Sequence, residues 1–252
     1  MKRDKVCVYT GHHDESHCFK ETLSFGKRAA WVHVRGGWFP CSVLGYFRVL
    51  LTNIRCAWAT ICMLAEVKQL DTVIIDQVFL PVIVCRVFST AKIVFYCHFP
   101  DKLLARRASL LRKMYRLPFD ALEGFAMSLT DKVVVNSDFT STAYASSFGR
   151  WDDVVPFVLY PTIGNISSIS HIPQVSSPKY IGKARRSFFL SINRFERKKR
   201  LHSTIIAFGT LRNRLAVQPG QMPYLILAGG YDKSVRENVE HFHEFLSIIR
   251  VD

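Results

Sequence analysis

The chain has 252 residues, of which 49% are hydrophobic, and its 34 Lys and Arg against 20 Asp and Glu give a formal net charge of +14. This hydrophobic content can fill one large or two smaller α/β cores, and it excludes global disorder. The charge favours an anionic partner, such as a nucleotide phosphate, a nucleic acid or an anionic bilayer, without choosing among them.

The start of the chain and the cysteines are typical of a cytosolic protein. The basic first residues are followed by the polar run Gly-His-His-Asp-Glu, and not by the apolar core of a signal peptide. The seven cysteines are scattered, without the close paired spacing of a zinc site or a small disulfide scaffold. Reduced thiols are therefore the simplest interpretation.

Short β-branched runs alternate with longer helical patterns in the first part of the chain. This alternation predicts parallel strands joined by right-handed crossovers, with strands buried on both faces, and hence a Rossmann-like N-terminal domain over residues 1–160. The predicted strands are 6–9, 72–75, 92–96 and 132–135, and the predicted helices are 47–67, 103–129 with a break near Pro118, and 140–148.

Two stretches, residues 43–64 and 79–99, are mainly apolar, but basic side chains interrupt both. Neither offers the ~18 or more clean apolar residues that a spanning helix needs. They are interpreted either as buried elements of the α/β fold or as a site of monotopic attachment, where basic residues meet lipid headgroups beside an apolar face.

A change of composition predicts a second domain. Residues 161–186 are rich in Ser, Pro, Gly and Ile and suit a linker. Strand and helix patterns then resume over 187–192, 201–215, 224–228 and 234–249. Two strands and two helices cannot easily bury a parallel sheet, so the second domain, residues 187–252, is expected to be incomplete.

His98 is the first candidate for a catalytic residue. It follows the predicted strand 92–96, and ligands of open α/β sheets bind beyond the carboxyl ends of the strands. The alternative is a structural histidine that donates a hydrogen bond to a loop carbonyl.

The stretch 191–201 predicts a site for a diphosphate. A strand end runs there into a cationic loop and then into a helix N-terminus, whose free amides favour phosphate. Arg194 offers a fork for two phosphate oxygens and Lys199 a compact charge, and the alternative is a solvated basic face. Gly229 and Gly230, after the strand 224–228, allow either close backbone approach to a ligand or a plain turn.

Two clusters of His with Asp, Glu or Cys, at 12–18 and 240–244, could attract a metal ion. Neither supplies a convincing ligand set, so both are interpreted as solvated surface and no metal site is expected. The chain also lacks the glycine-rich phosphate loops of dinucleotide-binding and P-loop proteins.

Several blocks together resemble the eukaryotic α-1,3/α-1,6-mannosyltransferases of dolichol-linked oligosaccharide assembly, within the retaining glycosyltransferase family 4. The resemblance spans nearly the whole chain and implies an α/β fold of the GT-B type, with two Rossmann-like domains. The blocks are HHDESHCF (12–19), GWFP (37–40), DQ (76–77), FYCHFPD (95–101), VNSDFT (135–140), LYP (159–161), SINRFERKK (191–199), AGGYD (228–232) and ENVEH (237–241).

The resemblance implies roles for individual residues. Arg194 and Lys199 would hold the donor diphosphate, and Gly229 and Gly230 would lie near the donor in the nucleotide-binding domain. His98 would face the reacting sugar, and Asn136 and Ser137 would line the same nucleotide-sugar cleft.

The implied reaction moves mannose from GDP-mannose to a pyrophosphoryl-dolichol oligosaccharide, first through an α-1,3 and then through an α-1,6 bond, with retention of configuration. No cofactor and no metal are expected. The implied partners are the lipid-linked acceptor, the cytosolic face of the endoplasmic reticulum membrane and other mannosyltransferases of the pathway, and not nucleic acid.

Two features of the family are expected outside this chain, which therefore resembles a family member truncated at both ends. One is the glycine-rich loop before Val6, and the other is a later stretch with two glutamates seven residues apart. The alternative function is consequently an inactive fragment that binds a membrane or a partner. A basic nucleic-acid-binding protein would require aromatic residues interleaved with basic patches, and these are not evident.

Overall fold

The computed structural model describes residues 5–15, 18–40, 43, 47–105, 110–151, 155–162, 187–215, 221–231 and 236–249. The chain divides into two compact units, Met1–Gly164 and Asn165–Asp252, and each is described by itself. Most of the predicted linker lies outside the described residues, so the predicted domain boundaries stay a prediction.

The centre of the first unit is a four-stranded parallel sheet. Its strands are neighbours in sequence order: β5 (Thr72–Asp76), β6 (Lys92–Cys97), β7 (Lys132–Val135) and β8 (Phe157–Val158). The helices that connect them are α2 (Leu80–Phe88), α3 (Asp101–Leu104), α4 (Leu110–Ser128) and α5 (Asp138–Phe148). The parallel α/β class is thus confirmed, as are the predicted strands β5, β6 and β7.

Smaller strands and a long helix precede this sheet. A parallel pair, β1 (Val8–Thr10) and β4 (Val32–Val34), lies on either side of an antiparallel pair in the sequence, β2 (Leu23–Ser24) and β3 (Lys27–Arg28). Helix α1 (Arg48–Glu66) follows and packs on α2 and β1. The strand predicted at 6–9 is present as β1, which begins two residues later than predicted.

The prediction that the strands are buried on both faces is wrong for β5, where buried and exposed residues alternate. Val73 and Ile75 belong to the core, whereas Ile74 between them is 72% exposed. The reason is that the side chains of α2, α4 and α5 that join this core, such as Val82, Met127 and Tyr144, meet the face to which Val73 and Ile75 point.

The predicted helix at 103–129 is two helices, and the expected break at Pro118 is wrong. Helix α4 continues through this proline. Proline removes one backbone hydrogen bond from a helix, but Pro118 is exposed, so water can solvate the carbonyl left without a donor. The opposite side of the helix is anchored in the core by Met127.

The two apolar stretches of the sequence have different environments. Residues 79–99 form α2 and the buried strand β6, as expected of elements of the core. Within the described ranges, α1 is the helix whose length and composition would allow it to cross a membrane. Of its apolar 18-residue stretch, 33% is buried in the protein. A core helix passes the same test, so this finding is weak support for a span.

The second unit contains a two-stranded parallel sheet in its described part. Strand β9 (Phe188–Ile192) pairs with β10 (Tyr224–Ala228), and helices α6 (Leu201–Arg214) and α7 (Arg236–Ile249) follow them. All four elements lie where the sequence predicts them. Among the described residues of this unit, the buried hydrophobic cluster consists of Phe195, Leu201 and Phe245.

Candidate active-site residues

The polar residues of the first unit gather where its parallel strands end. Asp76 is the last residue of β5 and Gln77 follows it, His98 follows β6, and Asn136 follows β7. These strands are adjacent and parallel, so their carboxyl ends meet at one edge of the sheet. That edge is where open α/β sheets bind ligands, as was expected for His98.

The ring of His98 contacts a carboxylate and remains accessible. Its Nε2 lies 2.8 Å from Oδ1 of Asp76, and the two side chains are 54% and 70% exposed. The ring of Tyr96 packs edge-on against it at a centroid distance of 4.9 Å. An exposed imidazole oriented by a carboxylate can donate, accept or relay a proton. The catalytic role of His98 stays a prediction.

Gln77 holds the backbone of the loop that carries His98. Its Oε1 accepts hydrogen bonds from the amides of His98, at 2.8 Å, and Phe99, at 3.4 Å, while its Nε2 donates to the carbonyl of Phe99 at 2.7 Å. Its φ of 63° lies in the left-handed region, which costs a residue with a Cβ ~1 kcal/mol or more. The bonds to the loop offset this strain.

Asn136 and Ser137 support the same loop and the helix that follows. Nδ2 of Asn136 donates to the carbonyl of His98 at 3.1 Å, and its Oδ1 accepts from the hydroxyl of Thr140 at 2.6 Å. Ser137 caps α5, because its Oγ accepts from the amide of Thr140 at 3.2 Å. Both side chains thus have structural partners, and their contact with a nucleotide sugar stays a prediction.

A buried carboxyl lies behind this loop. Glu123 of α4 is 4% exposed and accepts the amides of Asp101, at 2.9 Å, and Lys102, at 3.1 Å, at the start of α3. Burial raises the pKa of Glu123 to about 7. Arg116, also buried, donates to the carboxylates of Asp101 at 2.8 Å and Asp120 at 3.0 Å. The chain after His98 is therefore anchored to α4.

In the second unit, the ends of β9 and β10 form an open pocket of about 490 Å³. All four residues that the sequence singles out in this unit, Arg194, Lys199, Gly229 and Gly230, line the pocket. Lys199 ends a short 3₁₀ turn, Arg197–Lys199, after which α6 begins. The predicted order of strand end, cationic loop and helix N-terminus is therefore present.

Gly229 is required by the packing of the two loops against each other. A Cβ at this position would overlap the carbonyl oxygen of Asn193, whereas a Cβ on Gly230 would lie 3.8 Å from Cγ of Arg194, an ordinary contact. Neither glycine has a positive φ. The amide of Asn193 donates to the carbonyl of Ala228 at 2.9 Å and joins the two loops.

The charges of the pocket are mainly positive and exposed. The Arg194 side chain is 74% exposed, and its Nη1 lies 3.6 Å from Oε1 of Glu196. Lys198 lies 2.9 Å from the other carboxylate oxygen and is the first cause of the lowered pKa of Glu196. Arg194 and Lys198 share the single carboxylate of Glu196, and Lys199 adds a third positive charge to the lining. The net positive charge allows the pocket to attract an anion such as a diphosphate.

No group of three or more His, Cys, Asp or Glu that could hold a metal ion occurs among the described residues. The expectation that no metal takes part stays a prediction. The six cysteines that the structure describes form no disulfide. Burial raises the pKa of the Cys85 thiol to about 11 and that of Cys97 to about 12.

Sequence reasoning assigns no role to Gln77, Glu123 or Arg116. Gln77 lies in one of the recognised blocks, directly after a predicted strand, and this position is the signal that could have identified it. In the sequence, Glu123 and Arg116 lie in an amphipathic helical pattern, where charged residues are commonly solvated. Only the structure shows that these two are buried.

Both units therefore have parallel strands whose carboxyl ends carry polar or charged side chains. Two such α/β units are the components of a GT-B glycosyltransferase, the class expected from the sequence. No protein-family model matches the chain.

The chain is similar over nearly its whole length to proteins named alpha-1,3/1,6-mannosyltransferase ALG2. It is 38% identical to that of Dictyostelium discoideum over 96% of this chain and 60% of the relative. It is 38% identical to that of Saccharomyces cerevisiae, over 96% and 47%, and 36% identical to that of Homo sapiens, over 97% and 58%. The chain spans about half the length of these relatives, and over that part it is homologous to the ALG2 mannosyltransferases. The resemblance inferred from the sequence blocks is confirmed.

Proposed function

We propose that the protein is a mannosyltransferase that transfers mannose from GDP-mannose to a lipid-linked oligosaccharide, forming an α-1,3 and then an α-1,6 bond. The acceptors are the monomannosyl- and dimannosyl-chitobiosyl pyrophosphoryl-dolichol of N-glycan precursor synthesis. The observation that carries the proposal is the cationic pocket at the ends of β9 and β10, in a chain 34–38% identical to eight ALG2 mannosyltransferases.

In this proposal the pocket of the second unit binds the diphosphate of the donor. When the bond between mannose and GDP breaks, negative charge grows on the diphosphate. Arg194 and Lys199 are already positioned beside the pocket, so they stabilise this charge more in the transition state than in the ground state. Gly229 keeps the loop of Asn193 and Arg194 packed against the end of β10. The proposed reaction uses these cations in place of a metal and needs no cofactor.

His98 is the proposed contact with the reacting sugar. Its ring is accessible and oriented by Asp76, while Gln77 and Asn136 fix the backbone on both sides of it. Fixing the backbone limits the positions that the ring can reach, and such positioning is a large part of catalysis. The same proposal places Asn136 and Ser137 along the cleft for the nucleotide sugar.

The proposed location is the cytosolic face of the endoplasmic reticulum membrane, where a pyrophosphoryl-dolichol acceptor is presented. The formal charge of +14 favours association with an anionic surface. Other mannosyltransferases of the pathway are proposed partners, because each consumes the lipid-linked product of the one before.

The donor site can be tested without any acceptor. Isothermal titration of the chain with GDP measures the pocket directly, and the double variant Arg194→Ala, Lys199→Ala is expected to weaken binding by a factor of ~100 or more, since charge-assisted hydrogen bonds contribute ~1.5–3 kcal/mol each. The control is Arg212→Ala, Arg214→Ala, which removes two exposed cations from the far end of α6.

The transfer itself is tested with labelled GDP-mannose and the monomannosyl acceptor. We expect mannose transfer by the chain, its loss in the double variant, normal transfer by the control, and no effect of EDTA. GDP binding without transfer would refute the enzyme activity of this chain and leave the alternative, a binding function. If a folded chain binds no GDP, the assignment of the pocket is wrong.

A further inference from the structure

Helix α4 presents an apolar face to the outside of the first unit. Six large apolar side chains on this helix are between 42% and 80% exposed. At 100° per residue they fall within a sector of about 140°, and the buried residues of the helix lie on the opposite side. We call these six residues the α4 apolar face: Leu110, Leu111, Met114, Leu117, Leu122 and Phe125.

A cationic groove runs along one flank of this face. It has a volume of about 590 Å³ and lies between α4 and the end of α5, with Leu117 and Ala121 on one side and Arg150 and Trp151 on the other. Trp151 is held there by close packing, because its indole occupies the space beside Gly124, where a Cβ would come within 2.7 Å. The groove and the apolar face therefore form one continuous surface.

The charges around this surface suit an anionic partner. Asp120, the carboxylate that lines the groove, is only 14% exposed and accepts a hydrogen bond from the buried Arg116. Lys113 is exposed, and by the same helical geometry it lies on the flank of α4 that borders the groove. Arg150 is exposed at the groove itself.

The composition of the face distinguishes a bilayer from a protein partner. Five of its six residues are Leu or Met, whereas the cores of protein interfaces are enriched in Tyr, Trp, Phe and Arg. A helix face of leucines flanked by basic residues is typical of helices that lie in the plane of a membrane interface. Trp and Tyr are the residues that gather at the level of the headgroups.

We infer that the first unit docks on an anionic phospholipid bilayer through the α4 apolar face, with Arg150 and Trp151 in contact with a lipid headgroup phosphate. Helix α3, which begins three residues after His98, packs on α4. Docking through α4 therefore brings the sheet edge of His98 near the membrane. This inference supplies a membrane contact for the proposed function, but it can be tested without donor or acceptor.

The test is flotation of the full chain with vesicles of phosphatidylcholine alone or with 30% phosphatidylserine. The variant Leu110→Gln, Leu111→Gln, Met114→Gln is expected to lower the partition coefficient by about tenfold or more on both vesicles. Its matched control is Val6→Gln, Val87→Gln, Val155→Gln, three side chains 66–80% exposed elsewhere on the unit. The control is expected to bind as the unmodified chain does.

Arg150→Gln gives a different expected signature. It should lower binding about fivefold on the anionic vesicles, the contribution of one basic residue near such a surface, and leave binding to phosphatidylcholine alone unchanged. Trp151→Phe should remove most of the blue shift of tryptophan fluorescence on binding, and a full blue shift in this variant would contradict the contact of Trp151 with the headgroups.

Several results would overturn the inference. One is equal binding by the α4 variant and its control, which would assign membrane contact to another surface. Another is no vesicle binding together with self-association of the chain that the α4 variant abolishes, which would make the face a protein interface. Vesicle binding without mannose transfer would instead leave this inference intact and count against the proposed function alone.

Discussion

Replacing the buried carboxyl of Glu123 by an amide tests how the loop after β6 is anchored. Glu123 is 4% exposed, and its pKa is raised by burial from 4.5 to about 7. The proton is thus held more tightly in the folded than in the unfolded protein. The free energy of unfolding must therefore fall as the pH rises from about 4.5 to 7, while the unfolded chain ionises and the folded one does not, and the loss remains at higher pH.

The size of this effect follows from the two pKa values. One unit corresponds to 1.36 kcal/mol, so a shift of about 2.5 units costs the folded state ~3 kcal/mol in full, of which ~2.5 kcal/mol accrues between pH 5 and pH 8. Glu123→Gln cannot ionise and escapes this cost. Its amide oxygen can still accept from Asp101, but it loses the second acceptor, used by Lys102, at a cost of ~1 kcal/mol. The variant should match the unmodified chain near pH 5 and exceed it by ~2 kcal/mol at pH 8.

Tryptophan fluorescence during urea unfolding measures this difference in the right unit. All four tryptophans, at positions 31, 38, 58 and 151, lie within Met1–Gly164. The control Glu21→Gln replaces an exposed carboxylate and should change the free energy of unfolding little, as is usual for a surface substitution. A Glu123→Gln difference that stays constant from pH 5 to pH 8 would refute the reasoning.

Three further predictions concern single residues. Gly229→Ala should destabilise the second unit by ~3 kcal/mol or more, because the added Cβ would overlap a backbone carbonyl. Gly230→Ala is the control and should change the thermal midpoint, measured by circular dichroism, only a little. Cys97, buried and with a pKa of about 12, should react with N-ethylmaleimide at pH 8 roughly a hundredfold more slowly than exposed Cys7, measured by peptide mass spectrometry. Gln77→Ala should destabilise the first unit by ~1–3 kcal/mol and speed hydrogen exchange in the loop after β6, and unchanged exchange there would contradict its role.

The main strands and most helices are predictable from the sequence because their patterns are local. Strand β7 has the predicted bounds, since a run of valines between polar residues leaves little choice. Strands β2 and β3 are two residues each and carry no periodic signal. Pro118 misleads because its effect depends on whether the freed carbonyl meets water, which sequence alone does not show.

The candidate site is predictable to a different degree in its two parts. His98 and Arg194 follow recognisable strands, so the position alone indicates the edge of a sheet. Gln77 and Glu123 act on backbone amides 21 or 22 residues away, and such contacts leave no spacing to detect. Their identification requires coordinates.

The hydrogen bonds around His98 separate the shape of its loop from the chemistry of its ring. Gln77 and Asn136 bind the backbone of this residue, and Glu123 binds the amides at the start of α3. None of these three contacts uses the imidazole, which has its polar contact with Asp76. His98→Ala should therefore leave the loop in place. A loss of mannose transfer without a loss of stability in this variant would show that the ring itself is needed. Gln77→Ala, in contrast, would disturb the position of an intact ring.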